Sequence, residues 1–191
     1  MKVIDGETLR QLIVGGAKNL ENNKAMVDSL NVFPVPDGDT GTNMSLTMSS
    51  AVKEVAAVTS NDLDDIFKAY ARGALKGARG NSGVILSQII KGLSKVVIDC
   101  KQLTTKVFAK AMASATEVAY SAVTKPKEGT ILTVIRQQRA AAVHAEGLRR
   151  YRAGVPAAAS RRPAAAQLLY PLAGQGNSFL CPLRHREIHP G

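Results

Sequence analysis

Two aspartates one residue apart, Asp37 and Asp39, stand in the stretch Asn31-Val-Phe-Pro-Val-Pro-Asp-Gly-Asp-Thr-Gly-Thr-Asn43. Ionised carboxylates held close repel each other unless a proton or a cation sits between them. The neighbours Asn31, Thr40, Thr42 and Asn43 offer only oxygen as ligand atoms. That donor set suits a hard cation such as Mg²⁺, which takes one or two protein carboxylates and keeps positions open for substrate phosphates. Pro34 and Pro36 stiffen the approach, and Gly38 and Gly41 permit the tight or left-handed backbone that would crowd the acids together. The same residues also suit an Asx-rich turn that caps the next helix. An EF-hand loop is excluded, because Thr42 stands at its sixth position and Met48 at its twelfth, where glycine and glutamate are needed.

A second stretch, Gly73-Ala-Leu-Lys-Gly-Ala-Arg-Gly-Asn-Ser-Gly83, delivers Asn81, Ser82 and Gly83 to the start of an apolar periodic run. Free N–H groups and the helix dipole make such a place an anion site, and small residues let a phosphate approach. It is not a Walker A loop, since Gly-Lys-Ser/Thr is missing. The structural alternative is that Gly77 and Gly80 end one helix while Asn81 or Ser82 caps the next. Arg79 suits either an anion or a neighbouring carboxylate.

Helices must position these turns. Leu9, Leu12, Ile13, Gly16, Ala17 and Leu20 predict one helix over residues 6–21. A second opens near Gly41–Asn43 and buries Met44, Met48, Ala51, Val52 and Val55. Ser60 or Asn61 caps a third, with Leu63, Ile66, Phe67, Tyr70 and Ala74 on its apolar face. A fourth follows the glycine-rich turn through Val84, Ile85, Ile89, Leu93 and Val96, and a fifth spans Leu103 to Val123. Thr130 is placed to cap a helix through Ile131, Val134 and Ile135. No strand pattern persists, so residues 1–136 are expected to be all-helical.

The chain has 191 residues, 45% of them hydrophobic and 4% aromatic, enough for one domain with a core plus a tail. No apolar run reaches the roughly 18 residues of a membrane span, and the N-terminus carries no signal-peptide pattern. Cys100 and Cys181 match no metal spacing and read as free thiols, which makes the cytoplasm the expected location. The net charge of +10 is unevenly spread. Residues 1–136 hold 17 basic and 13 acidic residues, a net of +4, whereas residues 137–191 hold 8 arginines and 2 glutamates, a net of +6. A basic tail without an aromatic stacking platform or a recognition motif argues against nucleic acid as the partner.

Together the turns resemble one family. Residues 31–43, the run Ala-Arg-Gly-Asn-Ser-Gly-Val-Ile-Leu-Ser-Gln (78–88) and the run Lys-Pro-Lys-Glu-Gly-Thr-Ile-Leu-Thr (125–133) look like the DhaL-type domain, the nucleotide-binding module of dihydroxyacetone kinases. The nearest version is the N-terminal domain of the bacterial fatty acid kinase catalytic subunit. The resemblance implies an all-α, antiparallel barrel of eight helices that binds ATP or ADP at one end through Mg²⁺. It assigns Asp37 and Asp39 as metal ligands, with Asn31 at the third place, where the dihydroxyacetone kinase branch has Asp. Thr40, Gly41, Thr42 and Asn43 correspond to nucleotide contacts, Asn81, Ser82 and Gly83 to the phosphate turn, and Gly129 and Thr130 to a later loop near the nucleotide. No protein nucleophile is implied, because positioning and charge neutralisation carry most phosphoryl transfer.

In the fatty acid branch, a separate binding protein presents an acyl chain whose carboxylate takes the γ-phosphoryl group. In the glycerone branch, the acceptor is a small ketone held by another subunit. A homodimer is also compatible with the family. Phe33-Pro-Val-Pro36 favours the fatty acid branch. The resemblance covers residues 1–136. Lys and Asp then vanish together, and an Ala/Arg/Pro-rich segment, 137–191, takes the place of the family's last helices and acidic loop. That switch resembles a GC-rich gene read in a shifted frame, which the nucleotide sequence beyond codon 136 would decide. The expectation is a barrel of about six helices out of eight, with 137–152 extending the last helix and the rest largely disordered. Such a fragment would expose apolar helix faces and could bind nucleotide without turning it over.

Overall fold

A computed structural model describes residues 4–98, 100 and 102–154, with side chains unspecified at 146 and 148–154. Cys181, His185, His189 and the expected disorder of 155–191 lie outside the described residues. The described residues form six α-helices: α1 (Gly6–Ser29), α2 (Thr40–Ala56), α3 (Leu63–Lys76), α4 (Gly80–Val97), α5 (Thr105–Ser121) and α6 (Ile131–Gly154). Among the described residues the only extended pairing is a single bridge between Ile4 and Leu103. The all-helical expectation holds, and α6 continues through 137–152 as expected. No described helix is long and apolar enough to cross a membrane.

Local chemistry sets most helix ends. The Asp5 carboxylate accepts from the Thr8 amide at 2.8 Å and starts α1, and the Thr104 hydroxyl accepts from the Val107 amide at 3.3 Å and starts α5. At α3 the first residue is Leu63 and Asp62 is its N-cap, one or two residues beyond the expected Ser60 or Asn61. The Ser60 hydroxyl instead accepts from the Asp62 amide, shaping the entry one step earlier.

Neighbouring helices run antiparallel, because short connections turn the chain back on itself. Gly41 at the start of α2 lies on Lys24 near the end of α1, while Arg10 near the start of α1 donates to the Val55 and Ser60 carbonyls. α2 and α4 therefore run parallel, with α3 between them in sequence. α4 packs on α2, α3 and α5, so it buries two faces. The expected stripe of Ile85, Ile89 and Leu93 meets Met112, Ala115, Leu132 and Ile135, while Ile90 joins Met48, Ala51 and Ala74. Val84 is exposed.

Besides Val84, the expected apolar positions Leu12, Gly16, Phe108 and Val134 are not buried. Leu12 is 55% exposed and Phe108 42% exposed, and Gly16 has open space where a side chain would go. The reason is geometric: α1 packs on α2 and lightly on α3, leaving its other flank without a described partner. Leu12 and Phe108 line an open apolar cleft of about 190 Å³ with Leu9, Phe67, Leu93 and Val97.

Candidate functional site

Alternation of direction places the starts of α2, α4 and α6 at one end of the bundle. Side chains lock the first two together. The Ser82 hydroxyl donates to the Thr40 carbonyl at 3.4 Å, and the Thr47 hydroxyl donates to the Asn43 carbonyl at 2.8 Å while accepting from the Arg79 amide at 3.2 Å. Gly80 has φ +56, and a Cβ there would fall 2.4 Å from the Asn43 amide nitrogen. Gly83 is equally constrained, since its Cβ would fall 2.4 Å from the Thr47 Oγ1. Only residues without side chains let the two helix starts approach this closely.

Neither Asn81 nor Ser82 caps α4. Arg79 occupies that place and Gly77 closes α3, so Asn81 and Ser82 lie within the first turn, where N–H groups have no intrahelical acceptor. Two parallel N-termini side by side add their positive ends, which favours an anion. Gly129 (φ +80) and Thr130 precede α6. The Gly129 amide donates to the Thr133 hydroxyl at 2.8 Å, and Glu128 gathers Thr133, Tyr120 and Arg136. Those hydrogen bonds, led by the one from Thr133, hold the Glu128 carboxyl below its ordinary range. At the same end, Ile131 of α6 and Ile85 of α4 pack on one apolar cluster.

The acidic loop reaches this end from α1. Its Phe33–Pro34 peptide is cis, and Gly38 adopts φ +66, the left-handed backbone expected of it. Gly41 has a different purpose: its Cβ would fall 2.3 Å from the Lys24 carbonyl oxygen, so it permits α1 and α2 to touch. Asp37 is exposed and accepts from the Asn31 side-chain Nδ2 at 2.5 Å. Asp39 is half-buried as the N-cap residue of α2, but its side chain makes no capping bond. An N-cap aspartate usually spends its carboxylate on the helix; this one leaves it available.

Asp28, which the sequence did not single out, performs the capping instead. Its carboxylate accepts from the Thr42 amide at 3.0 Å and the Thr42 hydroxyl at 2.7 Å, and these bonds hold its pKa below the ordinary 3.8. Thr42 therefore faces Asp28 with both of its donors engaged. Among the described residues no three His, Cys, Asp or Glu side chains converge as a ready-made metal cluster. Asp37, Asp39 and the Asn31 carboxamide oxygen are nonetheless a hard, all-oxygen donor set of the size Mg²⁺ uses when phosphate oxygens complete its shell.

Comparison with known proteins bears on this end of the bundle. The family model of the DAK2 domain matches residues 34–168, a span that takes in the acidic loop from Pro34 onward, the α4 turn and α6. The chain belongs to the DAK2 domain family. The family is a kinase-type nucleotide-binding domain that binds ADP or ATP. Among curated relatives, protein YloV of Bacillus subtilis (strain 168) is 49% identical over 136 residues, covering 71% of this chain and 25% of YloV. The uncharacterized protein SAB1090 of Staphylococcus aureus (strain bovine RF122 / ET3-1) is 49% identical over 140 residues, covering 73% of this chain and 26% of its own. The chain thus spans about a quarter of the length of the curated relatives it matches.

Proposed function

We propose that residues 1–136 act as a Mg-ATP-binding kinase domain in the cytoplasm, with 137–191 an Ala/Arg/Pro-rich tail into which the family match runs as far as residue 168. The γ-phosphoryl group would pass to a fatty acid carboxylate presented by a separate binding protein. The observation that carries the reading is the side-by-side start of α2 and α4, locked through Thr40–Ser82 and Asn43–Gly80 with Asp39 left uncommitted between loop and helix.

Asp37, Asp39 and Asn31 would hold Mg²⁺, whose chemistry there is to neutralise the triphosphate. The amides of Gly80, Asn81 and Ser82 would donate to phosphate oxygens, joined by the Asn43 carboxamide from α2 and by Thr130 from the start of α6, while Gly41 and Gly129 shape the turns beside them. The Asn43 and Gly129 backbone amides are already engaged by the Asp39 carbonyl and the Thr133 hydroxyl. In the transfer, an acceptor carboxylate oxygen bonds the γ-phosphorus as the β–γ bridging bond breaks, giving an acyl phosphate and ADP. No side chain need form a covalent intermediate. Leu30, Val32, Phe33 and Val35 are all more than half exposed on the acidic loop, an apolar patch suited to a partner that carries an acyl chain.

Calorimetry with Mg-ATP tests the reading. Wild type should bind, and Asp37→Asn or Asp39→Asn should weaken binding by about tenfold or more, as expected when one carboxylate of a two-carboxylate metal site is lost. A folded chain that does not bind Mg-ATP, or an Asp39→Asn variant that binds it unchanged, would overturn the proposal.

The open cleft beside Leu12 and Phe108 favours a second reading, in which an incomplete barrel binds nucleotide without turnover. Binding without transfer to a supplied acyl-carrying partner would select it.

A further inference from the structure

A second cleft, of about 290 Å³, opens on the flank of α2 where α3 ends. Lys53, Lys76 and Arg79 line it together with Ser49 and Ser50, and no acidic residue does. Its lining includes none of residues 37–43 or 80–83 assigned above to Mg-ATP, although Arg79, the N-cap of α4, places it next to that turn.

Two of the three cations, Lys53 and Arg79, have no acidic partner among the described residues, and the third shares one. Lys76 Nζ lies 2.9 Å from a Glu54 oxygen, but Glu54 is shared with Arg72 at 3.0 Å and stands outside the cleft. The Arg79 guanidinium donates to its own neighbour's carbonyl, that of Ala78, at 3.1 Å, and Lys53 has no ion-pair partner among the described residues. Lys53 and Lys76 each sit in the last turn of a helix, where a cation suits the dipole. That accounts for each lysine singly, not for their sharing the lining of one concavity with Arg79, Ser49 and Ser50. The arrangement depends on Gly77, whose Cβ would fall 2.1 Å from the Ser50 Cβ, so that only glycine lets the end of α3 close the cleft.

From this geometry we infer a binding site for a small phosphate monoester, distinct from the nucleotide site. A concavity lined by three basic residues and two serines, with no acid, suits a doubly charged anion better than a carboxylate, and a phosphate monoester presents three terminal oxygens and up to two charges. A space of 290 Å³ equals roughly ten waters of liquid, more than a bare phosphate fills, which leaves room for a small organic group. The site does not rest on the kinase reading and can stand or fall without it.

Titrating the full chain with inorganic phosphate, at constant ionic strength and with saturating Mg-ATP present, tests the inference by amide NMR. Saturable shifts are expected at Ser49, Ser50 and Gly77. Loss of one cation beside a dianion at a wet surface should weaken binding about five- to tenfold in Lys53→Ala, while Lys53→Arg should stay within roughly twofold of wild type. Lys53 is exposed, so both variants should keep the wild-type circular dichroism. Shifts that never saturate, that sodium chloride reproduces, that survive Lys53→Ala unchanged, or that fall only on residues 80–83 would each overturn it. If the chain does not take up Mg-ATP, the same titration without nucleotide probes the cleft on the same criteria, and the two proposals fail separately.

Discussion

Gly83→Ala is the most incisive perturbation of the joint between α2 and α4. The added methyl would sit 2.4 Å from Thr47 Oγ1 and 3.4 Å from the Asn43 carbonyl oxygen, so the Thr47 side chain must move. Thr47 is fully buried, and its hydroxyl serves both the Asn43 carbonyl and the Arg79 amide. Overpacking of this kind costs about 1–3 kcal/mol and each disturbed buried hydrogen bond adds about 1 kcal/mol. The better helix propensity of alanine returns up to about 1 kcal/mol. The net expectation for Gly83→Ala is a loss of about 2–3 kcal/mol. Thr47→Ala alone should cost about 1–3 kcal/mol, because it leaves the Arg79 amide without that acceptor. In the double variant the methyl meets no oxygen, so the loss should fall short of the sum by more than about 1 kcal/mol. Urea unfolding followed by circular dichroism reads all four corners of the cycle, with unchanged slopes showing that midpoints report stability. Additivity within about 0.5 kcal/mol would refute the claimed contact.

Two further outcomes follow from the same joint. The Asp28 carboxyl is held below 3.8 in the folded chain, so its contribution is present above that value and is lost as pH falls through the lower folded pKa. The Thr42 amide resonance should therefore titrate with a midpoint below 3.8. In Asp28→Asn that titration should vanish, and a midpoint at or above 3.8 in wild type would contradict the assignment. Ser45 is buried in α2, and its Oγ has no hydrogen-bond partner among the described residues. Ser45→Ala should raise stability by about 1 kcal/mol, seen as a higher urea midpoint, and a clear loss would reveal a partner for that hydroxyl.

Some of this was legible residue by residue. The α3 stripe of Leu63, Ile66, Phe67 and Ala74 is buried as its spacing implied, because a helix with one apolar face has one way to hide it. Gly38 carries positive φ where an Asp-Gly-Asp turn suggested it. Thr130 caps where a threonine before an apolar run should, its hydroxyl accepting from the Leu132 amide at 3.3 Å. Periodicity failed where a helix has more than one neighbour or too few. α4 is buried on two sides, so its interior includes Ser87 and Ser94 as well as Ile90, and α1 leaves Leu12 outside. Asp28 and Thr47 gave no sequence signal, since one looks like an ordinary helix-end acid and the other like a polar residue in mid-helix.

Local physics written along the chain settled which segments are helical, where glycine was needed for a turn, and which family the turns belong to. Tertiary contacts decided the rest. That α2 and α4 begin side by side, that Asp28 rather than Asp39 caps α2, and that three cations share a cleft are facts about distant residues. Each depends on helix directions and on the missing side chains of Gly41, Gly77, Gly80 and Gly83, whose reasons lie 17 to 40 positions away. A spacing rule reads only neighbours within a few turns, so it cannot show what a glycine is making room for.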